Sequence, residues 1–289
     1  MTHQFGGLWT RKKLEMLEQY LTFYTQALKN KPFTLHYVDA FAGTGSHVPV
    51  VEDSQPMLVP YEDFKGSVLT ALEVNPGFHR YHFNDLNPDH INELEKIRQE
   101  HSTRQIQIYQ QDANRFVPEF CGSLGKNDRA VLFLDPYSTQ LNWETLEHVA
   151  KSEKTDLWLL FPISAILRMT PKQEERLIPE WKGALDKLLG TADWETALYK
   201  PVERPPIEDM FGHPENELPG QRMNVKELES WVTSRLRSLF QYVAEPVPLR
   251  NKGRPLFLFY FAVSNPKEAA WRLADRAATH IIKQNIGRD

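Results

Sequence analysis

The sequence has 289 residues and a single cysteine, Cys121. One cysteine excludes an intramolecular disulfide framework and a cysteine-rich zinc site. Long apolar runs are also absent, because the longest, Leu256–Val263, is far shorter than the roughly 20 residues that a membrane-spanning helix needs. Residues 1–7 lack the apolar core of a signal peptide. We therefore expect a cytoplasmic protein that is not held in a membrane.

The chain carries no overall excess of positive charge. It has 34 Lys and Arg against 38 Asp and Glu, and its net charge is −4. This balance excludes the overall positive charge that is typical of nucleic-acid-binding proteins. Only local basic patches remain possible, such as the segment Arg250–Arg254. That segment predicts either a phosphate contact or a solvated turn. The ten histidines are scattered and predict no metal site, and His79 and His82 are expected at the surface.

Hydrophobic residues make up 41% of the chain, which is typical of a globular protein. Apolar runs alternate with helical patterns, and this alternation predicts an α/β fold with a parallel sheet covered on both faces. The predicted strands are Leu35–Val38, Arg80–Asn84, Gln105–Tyr109, Ala130–Leu134 and Asp156–Phe161. The predicted helices are Trp9–Leu28, Gly66–Val74, Asp89–Glu100 and one that Asn142 caps.

Other segments interrupt or follow this alternation. Residues 46–65 predict a loop insertion, and residues 162–240 predict a helical insertion between strands five and six of one domain spanning residues 1–289. Gln241–Val247 and Pro255–Val263 predict a C-terminal antiparallel hairpin joined by a loop that includes Pro248. The last helix is expected to begin after a cap at Asn265.

Four clusters of glycine or acidic residues follow the predicted strands in order. They are Asp39–Gly45, Asp85, Asp112 and Asp135–Tyr137. In a doubly wound sheet, ligands bind beyond the carboxyl ends of the strands. The four clusters therefore predict one ligand site along that edge of the sheet.

The first cluster is Asp39-Ala40-Phe41-Ala42-Gly43-Thr44-Gly45. Its glycines allow a tight turn and a close approach of the backbone to a ligand. The pattern Gly43-x-Gly45-x-x-Val48 lacks the third glycine of the dinucleotide fingerprint, and no Gly-Lys-Ser/Thr ending follows. The cluster therefore favours neither NAD nor a nucleoside triphosphate. A plain turn between a strand and a loop is the alternative interpretation.

The second and third clusters are single carboxylates. Asp85 ends a strand, where a carboxylate can accept hydrogen bonds from both hydroxyls of a ribose. It lies further from the glycine turn than usual, and the insertion at residues 46–65 accounts for the excess. Asp112 can accept a hydrogen bond from an adenine amino group. The alternatives are a helix cap at Asp85 and a surface loop at Asp112.

Asp135-Pro136-Tyr137 is the candidate reaction centre. Pro136 ends the strand and exposes the groups beside it. A carboxylate next to a backbone carbonyl can hold an amino group with its lone pair directed at an electrophile. The ring of Tyr137 can stack on a planar substrate such as a base. A helix-capping turn with a core tyrosine is the alternative.

These clusters together resemble the class I S-adenosyl-L-methionine-dependent methyltransferases. The first resembles the Asp-x-Phe-x-Gly-x-Gly motif of DNA methyltransferases, and the fourth resembles the Asp/Asn-Pro-Pro-Tyr/Phe motif of amino-methylating enzymes. The resemblance implies a Rossmann-like fold, S-adenosyl-L-methionine as cofactor, and an amino group of a nucleic-acid base as a candidate acceptor. The implied cofactor residues are Asp39, Phe41, Ala42, Gly43, Gly45, Asp85 and Asp112. The implied catalytic residues are Asp135, Pro136 and Tyr137.

A narrower resemblance, to the three-Cys-motif partner (TcmP) family, covers nearly the whole chain. It rests on Lys12-Lys13-Leu14, Tyr37 to Gly43, Phe133 to Tyr137, Trp143, and Leu160 to Arg168. It implies a partner that has a three-cysteine motif and resembles radical S-adenosylmethionine enzymes.

Three functions follow as hypotheses: a methyltransferase, a non-catalytic partner subunit that binds the cofactor, and an NAD-linked oxidoreductase on a related fold. The missing third glycine disfavours the oxidoreductase. The single proline, where the amino-methylating motif has two, counts against methylation of a nucleic-acid base.

Overall fold

The computed structural model describes residues 8–47, 64–200, 221–251 and 253–286. Four parts of the predictions lie outside the described residues: Val48, most of the insertion predicted at residues 46–65, residues 201–220 of the predicted helical insertion, and Lys252 of the predicted hairpin loop. The strands are β1 Thr34–Asp39, β2 Ser46–His47, β3 Phe64–Lys65, β4 Arg80–Asn84, β5 Ile106–Tyr109, β6 Asp128–Leu134, β7 Thr155–Phe161, β8 Tyr199–Lys200, β9 Gln221–Arg222, β10 Tyr242–Val243, β11 Val247–Asn251 and β12 Arg254–Val263.

The helices agree with most of the predicted boundaries to within a few residues. They are α1 Leu8–Leu28, α2 Ser67–Glu73, α3 Pro88–Glu100, α4 Ala113–Ser123, α5 Trp143–Lys151, α6 Ile163–Met169, α7 Pro179–Leu189, α8 Trp194–Leu198, α9 Val225–Leu239 and α10 Glu268–Ile286, with a 3-10 turn at Glu174–Arg176. Asn142 occupies the cap position of α5, but its side chain makes no capping hydrogen bond. None of the helices in the described residues is long and apolar enough to cross a bilayer.

The main sheet has the strand order β10-β12-β7-β6-β1-β4-β5, with β11 also paired to β12. The five strands from β7 to β5 in this order are parallel to one another. Strand β12 runs antiparallel to β7, β10 and β11. The prediction of a mostly parallel, doubly wound sheet with a C-terminal antiparallel hairpin is confirmed.

Helices cover both faces of the sheet, because strands that are buried on both sides need apolar cover on each. One core cluster packs α1, α2, α3 and α10 against the sheet. The other packs α4 to α9 against the opposite face. Helices α6 to α9, with the β8–β9 pair, occupy the chain between β7 and β10. The predicted division into one domain with an insertion stays a prediction.

Helix α1 crosses one face of the sheet from the carboxyl ends of the strands towards their amino ends. Near its start, Trp9 packs against Phe257 of β12, with ring centroids 5.4 Å apart. Further along, the hydroxyl of Tyr20 donates to Oδ2 of Asp156, at the start of β7, over 2.6 Å. Burial raises the pKa of Asp156 to about 7, although the hydrogen bond from Tyr20 opposes the rise. The amino-terminal half of α1 therefore lies at the edge where the sequence predicts the ligand site.

The C-terminal hairpin differs from its prediction in the length of its loop. The loop was predicted to include Pro248, but this residue and Leu249 pair with β12 instead. Among the described strands β11 pairs only with β12, and proline within a sheet is tolerated on such an edge strand. Leu258 pairs with Phe161 at the end of β7, so the tip of the hairpin extends past that end. Phosphate binding by the tip stays a prediction.

The prediction that His82 lies at the surface is wrong. Its side chain is 5% exposed, because β4 is covered by α4 and the ring packs against Phe120. His36 Nδ1 lies 3.0 Å from His82 Nε2, and His82 Nδ1 lies 3.1 Å from the hydroxyl of Tyr109. Burial lowers the pKa of His82 to about 3, and neighbouring His36 adds to this effect. The two histidines thus form a buried polar chain across β1, β4 and β5.

Candidate functional site

The point where the sheet reverses its direction of winding lies between β1 and β6. The chain builds β4 and β5 on one side of β1, then crosses to build β6 and β7 on the other. Ligands of doubly wound sheets bind at the carboxyl ends of the strands that flank such a point. Asp39 ends β1, and Asp135 directly follows β6. The structure therefore brings the first and fourth predicted clusters together at the switch point.

The glycine turn after β1 needs glycine at two positions. Gly43 has φ +59° and Gly45 has φ +75°, the left-handed region that side chains rarely adopt. A Cβ built on Gly45 would lie 2.5 Å from Cδ1 of Ile97, so close packing against α3 also excludes a side chain there. A Cβ built on Gly43 meets no described atom within 4 Å. Gly43 therefore presents its backbone to open space.

The second cluster is held against this turn. Gly43 N donates to Oδ2 of Asp85 over 2.9 Å, and Asn87 N donates to Oδ1, also over 2.9 Å. His90 Nδ1 lies 3.1 Å from Oδ1. Each carboxylate oxygen has two lone pairs, so these contacts leave acceptor capacity on Asp85. The helix that follows is capped by Asn87 and not by Asp85.

Asn84, which the sequence reasoning missed, ties three of the strand ends together. Its side-chain nitrogen donates to the carbonyls of Ala40 and Gln111, both over 3.0 Å. Its side-chain oxygen accepts from Gln111 N over 3.1 Å. The residue is 1% exposed, so these bonds replace water entirely. A polar residue at the end of an otherwise buried strand was the signal that could have identified it.

Asp112 lies at the amino end of α4 and caps this helix through Asn114. Its Oδ1 accepts from Asn114 N over 2.8 Å. Asn114 in turn donates to the carbonyl of Gln140 over 2.7 Å and accepts from Asn142 N over 2.8 Å. Asn114, also missed from the sequence, therefore connects the third cluster to the loop that carries the fourth. The alternative of a surface loop at Asp112 therefore gives way to a helix cap, and the residue is exposed at the predicted edge.

Asp39 is fully buried beneath the site. Ser67 Oγ donates to its Oδ2 over 2.5 Å, and Phe41 N donates to its Oδ1 over 3.2 Å. Burial raises the pKa of Asp39 to about 7, nearby Asp135 adds to the rise, and the hydrogen bonds oppose it. Burial and the charge of Asp39 also raise the pKa of Tyr37, whose hydroxyl lies beside that carboxylate outside hydrogen-bond geometry.

Asp135 forms an ion pair with a residue far away in the sequence. Lys13 Nζ, from α1, donates to Asp135 Oδ2 over 2.6 Å. The lysine side chain is 4% exposed and the aspartate side chain 28%. Lys13 was missed as a site residue, although its spacing of four from Trp9 and from Leu17 places it on the buried face of α1.

Tyr137 is 70% exposed, so the alternative of a core tyrosine is wrong. The turn that presents it contains Ser138 at φ +54°, which is a strained conformation for serine. Pro136 is buried beneath it. Leu86, next to Asp85, is a second large apolar side chain that is exposed, at 65%. Large apolar side chains that are exposed at the edge of the sheet where the ligand site is predicted are candidates for stacking on a planar ligand.

Phe41 and Ala42 contribute mainly to packing. Ala42 is buried and belongs to the core cluster on the α1 face, whereas Phe41 packs against the opposite cluster. Ala42 N donates to the carbonyl of Asn84 over 2.9 Å, which sets the path of the turn. A direct role of these two side chains in binding stays a prediction.

The described residues contain no group of three or more His, Cys, Asp or Glu side chains that could hold a metal ion. Two surface cavities of about 520 and 530 Å³ lie between α1 and α10 and beside α9. None of the predicted site residues lines either cavity. We place the site by the chemistry at the strand ends, because the cavities hold no matching set of polar groups.

Comparison by sequence finds no matching family model and no matching curated protein. Comparison by structure finds the crystal structure of protein LPL1258 from Legionella pneumophila str. Philadelphia 1, of family-model DUF519. Its TM-score is 0.53 at 13% identity, over 96% of this chain and 93% of that chain.

Two further solved structures give lower scores. One is TYW2 from M. jannaschii in complex with AdoMet, with a TM-score of 0.32 and 9% identity over 85% of this chain and 75% of that chain. The other is the CurJ carbon methyltransferase, with a TM-score of 0.35 and 14% identity over 84% of this chain and 54% of that chain. These two scores are too low to argue from.

The chain has a Rossmann-like class I methyltransferase fold. Five parallel strands wind outward from β1, and one antiparallel strand, β12, is inserted next to the edge of the sheet. The similarity to LPL1258 extends over nearly the whole of both chains, so it concerns the complete architecture. The comparisons do not support the narrower resemblance to the TcmP family, which stays a prediction.

Proposed function

We propose that this protein is an S-adenosyl-L-methionine-dependent methyltransferase whose acceptor is an amino group on a planar base. The observation that carries the proposal is the placement of Asp39 and Asp135 on adjacent strand ends at the switch point, with Gly43 and Asp85 joined beside them. Fold alone does not determine activity, so the proposal rests on the residues at this edge.

The residues present fit this cofactor. Gly43 faces open space and allows a close approach of the backbone, as the methionine end requires. Asp85, fixed by two backbone N–H groups, retains lone pairs for the hydroxyls of a ribose. Asp112 is exposed at the amino end of α4 and can accept from an adenine amino group. Leu86 would pack against the adenine ring.

The reaction needs position and electrostatics more than acid or base strength. The cofactor supplies, when bound, an activated methyl group on a sulfonium. Asp135 and the carbonyl of Pro136 would accept the N–H groups of the acceptor, so that its lone pair faces the methyl carbon. Tyr137 would stack on the base. As the nitrogen gains the methyl group it loses one proton, which Asp135 can take and pass to water.

The experiment is a transfer assay with methyl-labelled S-adenosyl-L-methionine. The acceptors offered are single-stranded DNA, double-stranded DNA, RNA, free nucleosides and a protein extract. We expect label in one class of base, and hydrolysis to nucleosides identifies the methylated atom. Asp135→Ala should abolish transfer while cofactor affinity changes by less than about threefold, because Asp135 faces the acceptor. A large loss of cofactor affinity in this variant would contradict the separation of roles.

The same assay separates the proposal from the partner-subunit hypothesis. The single proline in Asp135-Pro136-Tyr137 favours that hypothesis. A protein that binds the cofactor but labels none of the acceptors would act instead as a binding subunit, for which we propose a three-Cys-motif protein as partner. Co-purification with such a protein, and labelling only in its presence, would support this role.

A further inference from the structure

A lysine is buried at the reaction centre. Lys13 is 3% exposed as a residue, although lysine is among the side chains least often buried. Its Nζ donates to Asp135 Oδ2 over 2.6 Å and lies 5.5 Å from the ring centre of Phe133 and 5.7 Å from that of Trp9. The ammonium group is thus enclosed by two aromatic rings and directed at one carboxylate oxygen.

The burial of Lys13 is not explained by the need to attach α1 to the sheet. Met16, Leu17 and Tyr20 of α1 are fully buried and already hold the helix in place. A buried ion pair is often no more stabilising than an apolar pair of similar volume, because both charges lose their hydration. The burial of Lys13 therefore needs an explanation in the chemistry of the candidate site.

The two oxygens of Asp135 have different surroundings. Oδ2 is engaged by the buried ammonium, and the side chain as a whole is 28% exposed. Because the ammonium group of Lys13 engages Oδ2, Oδ1 is the oxygen that remains available to a ligand. Tyr137 and Gly43 lie at the same edge of the sheet. A second carboxylate, Asp39, is buried close enough for the two negative charges to interact. The charge of Lys13 acts on both carboxylates, because it pairs with Asp135 and also lowers the pKa of Asp39.

We propose that Lys13 is a positioning residue of the methyl transfer: it fixes Oδ2 of Asp135 so that Oδ1 receives the N–H of the acceptor. This inference rests on the proposed function for its kinetic consequence. The orientation of the carboxylate in the cofactor-free protein is a consequence that can be observed without any reaction. Lys13 acts through Asp135 and does not itself contact the acceptor.

The test compares Lys13→Met, which keeps most of the length of the side chain and removes its charge, with Lys13→Arg, which keeps the charge. Arg11→Met is the matched control, because it removes an exposed cation of the same turn that is paired with Glu15. Lys13→Met is expected to fold, since Asp135 can gain water through its exposed part. A denaturant melt of each variant checks this, and Lys13→Gln, which also lacks the charge, serves as the test variant if Lys13→Met does not fold.

We expect Lys13→Met to bind S-adenosyl-L-methionine within about threefold of the wild type and to lower kcat by about 100-fold, corresponding to about 2.7 kcal/mol. Lys13→Arg should recover at least about tenfold of the lost rate. A wild-type kcat in Lys13→Met would overturn the inference, as would an equal loss of cofactor affinity.

If the wild type transfers no methyl group, the proposed function has failed and the inference is judged on the cofactor-free protein alone. Crystal structures of the wild type and Lys13→Met then decide it. We expect Asp135 to leave its wild-type rotamer, or to occupy more than one, when Lys13 is replaced. An unchanged carboxylate in Lys13→Met, or in Lys13→Gln if only that neutral variant folds, would overturn the inference, whereas Lys13→Arg should keep the wild-type rotamer of Asp135.

Discussion

The backbone N–H of Gly43 lies 2.9 Å from Oδ2 of Asp85 and donates to it, although 41 residues separate the two in the sequence. This bond joins the glycine turn after β1 to the acidic end of β4. A change at either residue therefore affects the other, and the parts of the candidate cofactor site form one unit.

The glycine turn gives a test based on stability. Gly45→Ala forces a side chain into the left-handed region and against Cδ1 of Ile97, so we expect a loss of about 2–4 kcal/mol in the free energy of unfolding. Gly122→Ala in α4 is the control, because a Cβ there meets no described atom within 4 Å. The control should be neutral or gain up to about 0.5 kcal/mol. Equal effects of the two changes in urea unfolding would show that the turn is not constrained as described.

Asn84 gives a test of the bonds that join the strand ends. Asn84→Ala leaves two carbonyls and one N–H without their partner, and we expect it to cost about 1–3 kcal/mol. Asn84→Asp should cost more, because a carboxylate oxygen would then face the carbonyls of Ala40 and Gln111. The two variants are compared by urea unfolding at neutral pH. A milder effect for aspartate than for alanine would contradict the hydrogen-bond assignment.

Much of the fold could be predicted from the sequence, because apolar runs and helical periodicity alternate clearly from Leu35 to Phe161. The order of the four clusters also indicated that they share one edge of the sheet. His82 and Asn84 could not be placed in this way. A polar residue in a strand reveals whether it is buried only once its partners on neighbouring strands are known.

Lys13 illustrates the same limit for the site. Its position on the apolar face of α1 can be recognised from spacing, but its partner, Asp135, lies 122 residues away. The path of β11 was missed for another reason. Pro248 suggests a loop when it is considered alone, and only the edge position of the strand makes it compatible with pairing.

The buried carboxyl of Asp156 should make the free energy of unfolding depend on pH. Burial raises the pKa of this carboxyl to about 7 in the folded protein, above its value in the unfolded chain. The folded state therefore holds the proton more tightly, and this contribution to stability is present below about pH 4 and is lost as the pH rises to about 7. Asp156→Asn keeps an acceptor for Tyr20 and removes the titration. Its stability relative to the wild type should rise between about pH 5 and about pH 8 in urea unfolding. A constant difference would contradict the shift.

The buried His82 should have the opposite effect, so that its contribution to stability is lost in acid. Its pKa is lowered to about 3 by burial, so its contribution to stability is present above about pH 6.5 and is lost as the pH falls towards 3. His82→Phe should be less stable than the wild type at neutral pH, by about 1–2 kcal/mol, and should lose less stability between about pH 7 and about pH 5. His148→Gln, at an exposed position on α5, should parallel the wild type. A wild-type acid response in His82→Phe would contradict the buried histidine chain.

The most direct test of the central claim is calorimetric titration of the purified protein with S-adenosyl-L-methionine. The wild type should bind with micromolar affinity. Asp85→Ala should weaken binding at least about tenfold, or about 1.4 kcal/mol, because the ribose loses its acceptor and the turn at Gly43 loses its partner. Asp89→Ala, which removes an exposed carboxylate from the first turn of α3 four residues further on, should bind as the wild type does. No binding by the wild type, or equal affinity in Asp85→Ala, would contradict the account.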